Sequence, residues 1–277
     1  MSIEEQYQYY QRKNKFKIIY ITLGIAIVSL LCLSWNATIG PGELSAALLN
    51  YFSTQTVTGE NTAAAKVVLF LRLPRICLAI LAGFGLAAAG LMMQSVTRNF
   101  LVSPFTLGVS SAAAFGASLC IVFGNATIFF NDFLIIGSAF IAAMLSMLIV
   151  FTVAKKVGIT ANSVILVGIA LNYFFAALTA SLQFFAQENK LAAVVQWTFG
   201  TFNRANWDAV IIIGAVTAFC SFFAISLLSQ WNAMASSNDE LVRSLGISPQ
   251  KLRGLTMFLA VLITATIISF TGVIGFV

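Results

Sequence analysis

The sequence predicts an all-α protein: a polytopic transmembrane helical bundle with about seven spans. Three observations lead there. Of 277 residues, 60% are hydrophobic and only 9% charged, whereas a soluble domain carries about 25% charged residues. Apolar runs long enough to cross a hydrocarbon core of roughly 30 Å as helices recur along the chain. The interiors of those runs carry no Asp, Glu, Lys or Arg, Asp208 standing at the edge of the sixth.

Met1–Lys17 is polar, with Arg12, Lys13, Lys15 and Lys17 crowded before the first run, Ile18–Leu33. No clear A-x-A cleavage site follows, so the run reads as an uncleaved first helix starting inside. Ser34–Phe70 is the longest outer loop, punctuated by Pro41-Gly42-Glu43, with Ala46–Tyr51 as a short surface helix and Trp35 and Tyr51 suited to the interface. The second span is Ile76–Met93, 18 residues without a charge. Its pairs Gly83/Ala87 and Gly85/Ala89 put small residues in lines that let another helix approach. Gly83-Phe84-Gly85 has no preceding strand, so it is packing and not a dinucleotide loop.

The third span is about Phe105–Phe123, followed by an outer turn at Gly124-Asn125. The fourth, about Phe133–Val153, ends at Lys155-Lys156 inside. The fifth, about Val164–Phe185, is the most polar: Gly168, Asn172, Ala176, Thr179 and Gln183 recur every three or four residues along one face. That stripe either lines a water-filled path or hydrogen-bonds another helix. Gln187–Asn206 reads as an outer loop, and Trp207–Leu228 as the sixth span. Ser229–Arg253 is a polar inner segment, and Leu255–Val277 is the seventh run. With this alternation ten Lys/Arg lie inside and five outside, the sense of the positive-inside rule.

Composition also excludes functions. The net charge of +6 is spread over short loops, so no nucleic-acid partner is expected and membrane lipid is. There is no histidine, no CxxC pair among Cys32, Cys77, Cys120 and Cys220, and no Walker sequence. No metal site, catalytic centre or cofactor of its own is expected, and any ATP must be bound by another chain. Without an ionisable group mid-membrane, energy for transport must enter from the aqueous ends. The inner segment offers an entry point: Asn238 as cap, Asp239 and Glu240 in a first turn, Leu241 and Leu245 as an apolar knob, and Gly246 at the end. From this pattern alone a plain solvated connecting helix is the favoured reading.

One ordered set of residues carries a family likeness: Arg72-Leu73-Pro74-Arg75, Gln94, Arg98-Asn99, Leu101, Pro104 and Leu107-Gly108-Val109-Ser110. With it the chain resembles the membrane permease subunits of ABC importers for iron–siderophores, haem and cobalamin, departing at Phe100, where that family usually has Pro. The resemblance implies a type II ABC importer permease fold, a single permease domain over residues 1–277 with a cytoplasmic tail (1–17) and coupling segment (229–253), in the cytoplasmic membrane with its N-terminus inside. It implies a non-enzymatic subunit that passes an iron–siderophore complex, haem or cobalamin. Its partners would be two ATPase subunits inside, a substrate-binding protein outside and a second permease chain, identical or similar.

The likeness implies that Arg72 and Arg75 dock acidic side chains of the binding protein, which is the reading favoured here over ordinary snorkelling anchors. It makes Asp239, Glu240, Leu241, Arg243, Ser244, Leu245 and Gly246 the ATPase-coupling residues. Ala161 and Asn162 take the places of an inner gate, with a helix start as the plain alternative. The family normally has ten spans, continuing beyond Gly-Phe-Val into three further helices, so the C-terminal part of the fold is expected to be absent from this stretch. A secondary carrier or channel without an ATPase, and an assembly subunit with no path, are the rival functions.

Overall fold

The computed structural model describes residues 16–29, 66–124, 128–157 and 161–274, with the side chains of 128–131, 157 and 161–162 left aside. The first basic cluster up to Lys15, the outer loop with Trp35, Pro41 and Tyr51, Cys32 and the last three residues lie outside the described residues. The chain divides into two compact units, Met1–Ile76 and Cys77–Val277.

In the first unit, α1 (Phe16–Ser29) is a short apolar helix with exposed Ile18, Ile21, Leu23 and Val28. A π-helical turn, Val68–Arg72, leads into α2 (Leu73–Thr97), and the Leu73 N–H donates to Val68 O across it. The helix thus starts well before the Ile76 expected from hydropathy. Pro74 sits in its first turn, where a missing N–H costs nothing.

The second unit holds α2 from Cys77 onward, α3 (Val109–Phe123), α4 (Ile128–Val157), α5 (Ala161–Phe185), α6 (Glu188–Thr198), α7 (Trp207–Ser236), α8 (Asp239–Ser244) and α9 (Pro249–Thr271). Val68–Thr97, Asp132–Lys156, Ser163–Phe185, Trp207–Ser236 and Pro249–Thr271 are long and apolar enough to cross a membrane; α1 and α3 are shorter apolar helices. The third expected span is shortened because its first residues fold as a 3-10 turn, Pro104–Leu107, closed by Gly108 at φ 78. The remaining 15 residues of α3 reach only about 22 Å as a helix.

Packing follows side-chain size. α3 touches α4, α5, α6 and α9, and Ala112, Ala113, Gly116, Ala117 and Ser118 are all buried. A Cβ on Gly116 would stand 2.4 Å from Ser138 O and 2.6 Å from Ala142 Cβ, so α3 and α4 approach almost backbone to backbone. α9 is the other interior helix: 78% of its apolar window is buried, against 22% for each of α4, α5 and α7. α9 is no more apolar than these three as a group, so its interior place is set by the helices packed around it and not by hydropathy, whereas the other three turn one side outward, to lipid in a membrane. Its hydroxyls are satisfied locally: Thr264 donates to Ala260 O at 2.9 Å and Thr271 to Ile267 O at 2.8 Å. On α2 the two small lines separate. Gly85 would put a Cβ 2.8 Å from Ile267 Cδ1, and Ala89 is fully buried, while Gly83 has nothing within 4 Å.

Two stretches differ from the sequence reading. The expected outer loop Gln187–Asn206 contains α6, which buries Val194 and Trp197 and caps the neighbouring helix: Lys190 Nζ donates to Val122 O at 2.6 Å. A cation at the last turn of α3 is well placed against its free carbonyls. The polar Ser229–Arg253 segment is mostly helix as well, because α7 runs on to Ser236 and α9 begins at Pro249.

Candidate coupling segment and substrate path

α8 is a six-residue helix whose ends are fixed by its own sequence. Asn238 caps it, its Oδ1 accepting from Leu241 N at 2.9 Å. Gly246 closes it at φ 79, with Gly246 N donating to Arg243 O and Ile247 N to Val242 O. That paired closure needs a left-handed residue, which glycine supplies without a Cβ clash. Val242 faces inward at 0% exposure, while Leu241 and Leu245 are 57% and 65% exposed. Glu240, Arg243, Ser244 and Gly246 are exposed too. The helix therefore grips the bundle with one side and presents an apolar knob with the other.

Asp239 behaves differently from its neighbours. Its carboxylate accepts two hydrogen bonds from Arg253, at 2.9 Å to Oδ2 and 3.0 Å to Oδ1, and a third from Arg98 Nη2 at 3.0 Å. Arg253 Nε also donates to Val96 O at 3.1 Å, and Arg98 Nε to Met234 O. The hydrogen bonds from Arg253 and the two positive charges hold the Asp239 carboxyl below the usual carboxylate range. Arg253 itself is buried, at 4% exposure. Arg98 and Arg253, counted from sequence as loop cations, thus belong to the base of α8. The signal in the sequence was slight: Arg253 follows Asp239 by 14 residues, and Arg98 comes from another part of the chain.

The α5 stripe divides in two. Gly168 lies against the 3-10 turn, where a Cβ would meet Thr106 O at 2.3 Å and Leu107 Cα at 2.8 Å. Asn172 bonds the same region, accepting from Ser111 Oγ at 2.5 Å and donating from Nδ2 to Phe105 O at 3.0 Å. Further along, Ala176, Thr179 and Gln183 border an open cavity of about 300 Å³ together with Ser110, Ser111 and Thr198. Its lining is hydroxyl, amide and methyl, without a charged side chain. Thr179 is largely buried and donates to Phe175 O at 2.9 Å. Ala161 and Asn162 open α5, and their side chains lie outside the described residues. Arg72 ends the π-helical turn, and Arg75 lies in the first turn of α2.

Among the described residues, no group of three or more His, Cys, Asp or Glu is arranged to hold a metal. Cys77, Cys120 and Cys220 are free thiols in apolar helices.

Comparison with known proteins places this arrangement. Residues 21–277 match the FecCD transport family. A Methanocaldococcus jannaschii protein bearing an ABC transporter permease name is 35% identical, over 100% of this chain and 79% of its own length. The iron(3+)-hydroxamate import system permease protein of Bacillus subtilis is 31% identical, over 96% of this chain and 78% of its own. The hemin transport system permease protein of Yersinia pestis is 27% identical over 93% and 75%. A solved ABC transporter of metal-chelate type, in an inward-facing conformation, superposes with a TM-score of 0.74 at 28% identity, over 92% of this chain and 77% of that one. The family match over nearly the whole chain and the superposition of the helical bundle agree, and the chain belongs to the FecCD transport family, as a permease subunit of an ABC importer.

Proposed function

We propose that this permease carries a ferric chelate of the siderophore type across the cytoplasmic membrane, driven by a separate ATPase that seats on α8. The observation that carries the reading is the shape of α8: Val242 and Asp239 bind it to the bundle while Leu241 and Leu245 stand out from it. A solvated linker has no use for two exposed leucines on a capped, anchored helix, whereas a cleft in a partner buries them. Glu240, Arg243 and Ser244 would form the polar rim of that contact.

The substrate would pass along the Thr179–Gln183 side of α5, facing a second permease chain. The cavity there offers hydroxyl and amide groups to an oxygen-rich chelate without a fixed charge that would trap it. Relatives named for iron(3+)-hydroxamate and hemin support a bulky iron chelate as cargo. No bond in the cargo is made or broken by this chain. Arg72 and Arg75 would receive carboxylates of an external binding protein, since paired guanidinium groups bind carboxylates directionally.

The test is co-purification of the ATPase subunit from membranes with Leu241→Asp/Leu245→Asp. The reading expects a loss of at least tenfold in bound ATPase with the permease still folded. Full retention of the ATPase would overturn it.

A further inference from the structure

We propose that Asp239 is the hub of a four-helix clamp, a positioning residue that makes α8 move as one piece with the ends of α2, α7 and α9. The inference rests on the reading of α8 as the ATPase seat and adds how a push there reaches the spans.

A six-residue helix has little rigidity of its own. Hinged at Ser237–Asn238 and again at Leu245–Ser248, it would rock under load and dissipate the movement. The clamp removes that freedom. Arg253 grips both carboxylate oxygens of Asp239 in a planar, two-bond contact that fixes orientation as well as distance. The same guanidinium reaches Val96 O in the last turn of α2. Arg98 closes the ring from the other side, bonding Asp239 and the Met234 carbonyl near the end of α7. So one carboxylate joins α8 to α9 directly, to α2 through both arginines, and to α7 through Arg98.

Two independent features show that the chain is shaped for this contact. Arg98 has φ 52, the described non-glycine residue with positive φ. A helix ending in that conformation ordinarily uses Gly or Asn, and a β-carbon there is accepted at a cost. Arg253, with only 5% of its side chain exposed, is a cation taken out of solvent at the start of the most buried helix. A guanidinium so placed needs a matching anion, and Asp239 supplies it. The route is mechanical as well: α9 packs on α3, α4 and α7, and Gly85 of α2 sits against Ile263 and Ile267 of α9. A displacement of α8 passed to α9 arrives at the interior of the bundle rather than at its rim.

The experiment uses the purified importer complex in proteoliposomes, reading ferric-hydroxamate uptake per ATP hydrolysed alongside the amount of ATPase bound. The variants are Asp239→Asn, which keeps shape and removes charge, Arg253→Lys, which keeps charge and removes the two-bond grip, and Arg98→Gln. With the ATPase bound, uptake per ATP should fall at least fivefold in Asp239→Asn and Arg253→Lys, and less in Arg98→Gln. Asp239→Glu should recover part of it. An unchanged ratio in Asp239→Asn with the ATPase bound overturns the clamp and leaves the ATPase seat standing. ATPase bound at full level to Leu241→Asp/Leu245→Asp overturns the seat, and the clamp's transmitting role with it. Should Asp239→Asn fail to fold, Arg253→Lys decides alone: a normal ratio there overturns the clamp.

Discussion

Gly168→Ala should unseat α5 from the turn that precedes α3. Helix propensity alone would reward the change by about 1 kcal/mol. The structure reverses that sign. The new Cβ would lie 2.3 Å from Thr106 O and 2.8 Å from Leu107 Cα. Both are backbone atoms of a 3-10 turn pinned by Pro104 and Gly108, so neither can swing aside as a side chain would. To reach ordinary van der Waals contact the helix and the turn must separate by about 1 Å. Overpacking of this kind costs about 1–3 kcal/mol. The same separation stretches the bonds of Asn172 to Phe105 O and Ser111 Oγ, each a net contribution of about 1 kcal/mol. The sum, about 3 kcal/mol, corresponds to roughly 6–12 °C of melting temperature for a chain of this size. The assay is thermal unfolding in detergent followed by tryptophan fluorescence. Gly83→Ala is the matched control, because nothing lies within 4 Å of a Cβ there. If Gly168→Ala melts with Gly83→Ala, the close approach of α5 to the turn is not what holds this side of the bundle.

Asn172→Ala leaves the Ser111 hydroxyl and the Phe105 carbonyl without their partner, and should lower the melting temperature by the equivalent of about 1–3 kcal/mol in the same assay. Trp231→Phe removes the bond from Nε1 to Thr256 Oγ1 at 2.9 Å while keeping most of the apolar volume; its cost should be about 1 kcal/mol, and that of Trp231→Ala about 3–5 kcal/mol. Charge reversal at Arg72 and Arg75 should weaken capture of the external binding protein in a pull-down without changing the amount of ATPase bound. The Asp239 carboxyl titrates below its usual range, so the clamp's contribution is complete above about pH 4, the unfolded value, and is lost as pH falls through the lowered one. A fluorophore on Ser244→Cys in a background without the native cysteines should keep the same anisotropy from pH 7 to 5 and gain mobility only in stronger acid.

The apolar runs made the long helices legible, and the caps made α8 legible to the residue: Asn238 and Gly246 each act as their type requires. The α5 stripe was visible but not its division. From Gly168 to Gln183 the side-chain direction drifts by about 60° at 100° per residue, and the stripe passes from the 3-10 turn to an open cavity. Periodicity reports a shared face, not what stands opposite. α6 was hidden because Glu188, Asn189, Lys190 and Gln196 give it a loop's polarity, and only Val194 and Trp197 mark its buried side. The Asp239 clamp was hidden for a different reason. Ion pairs between segments far apart in sequence leave no local pattern, and Arg98 and Arg253 look like ordinary loop-end cations until the fold brings them to one carboxylate.

Proteoliposomes holding the permease, its ATPase and an external binding protein put the account's core to the test, with radio-iron hydroxamate outside and either ATP or an imposed proton or sodium gradient as the energy source. Iron should accumulate with ATP alone and stay at background with either gradient alone, since the spans carry no Asp, Glu, Lys, Arg or His in their interiors to couple to an ion. Accumulation driven by a gradient in the absence of ATP would contradict the account.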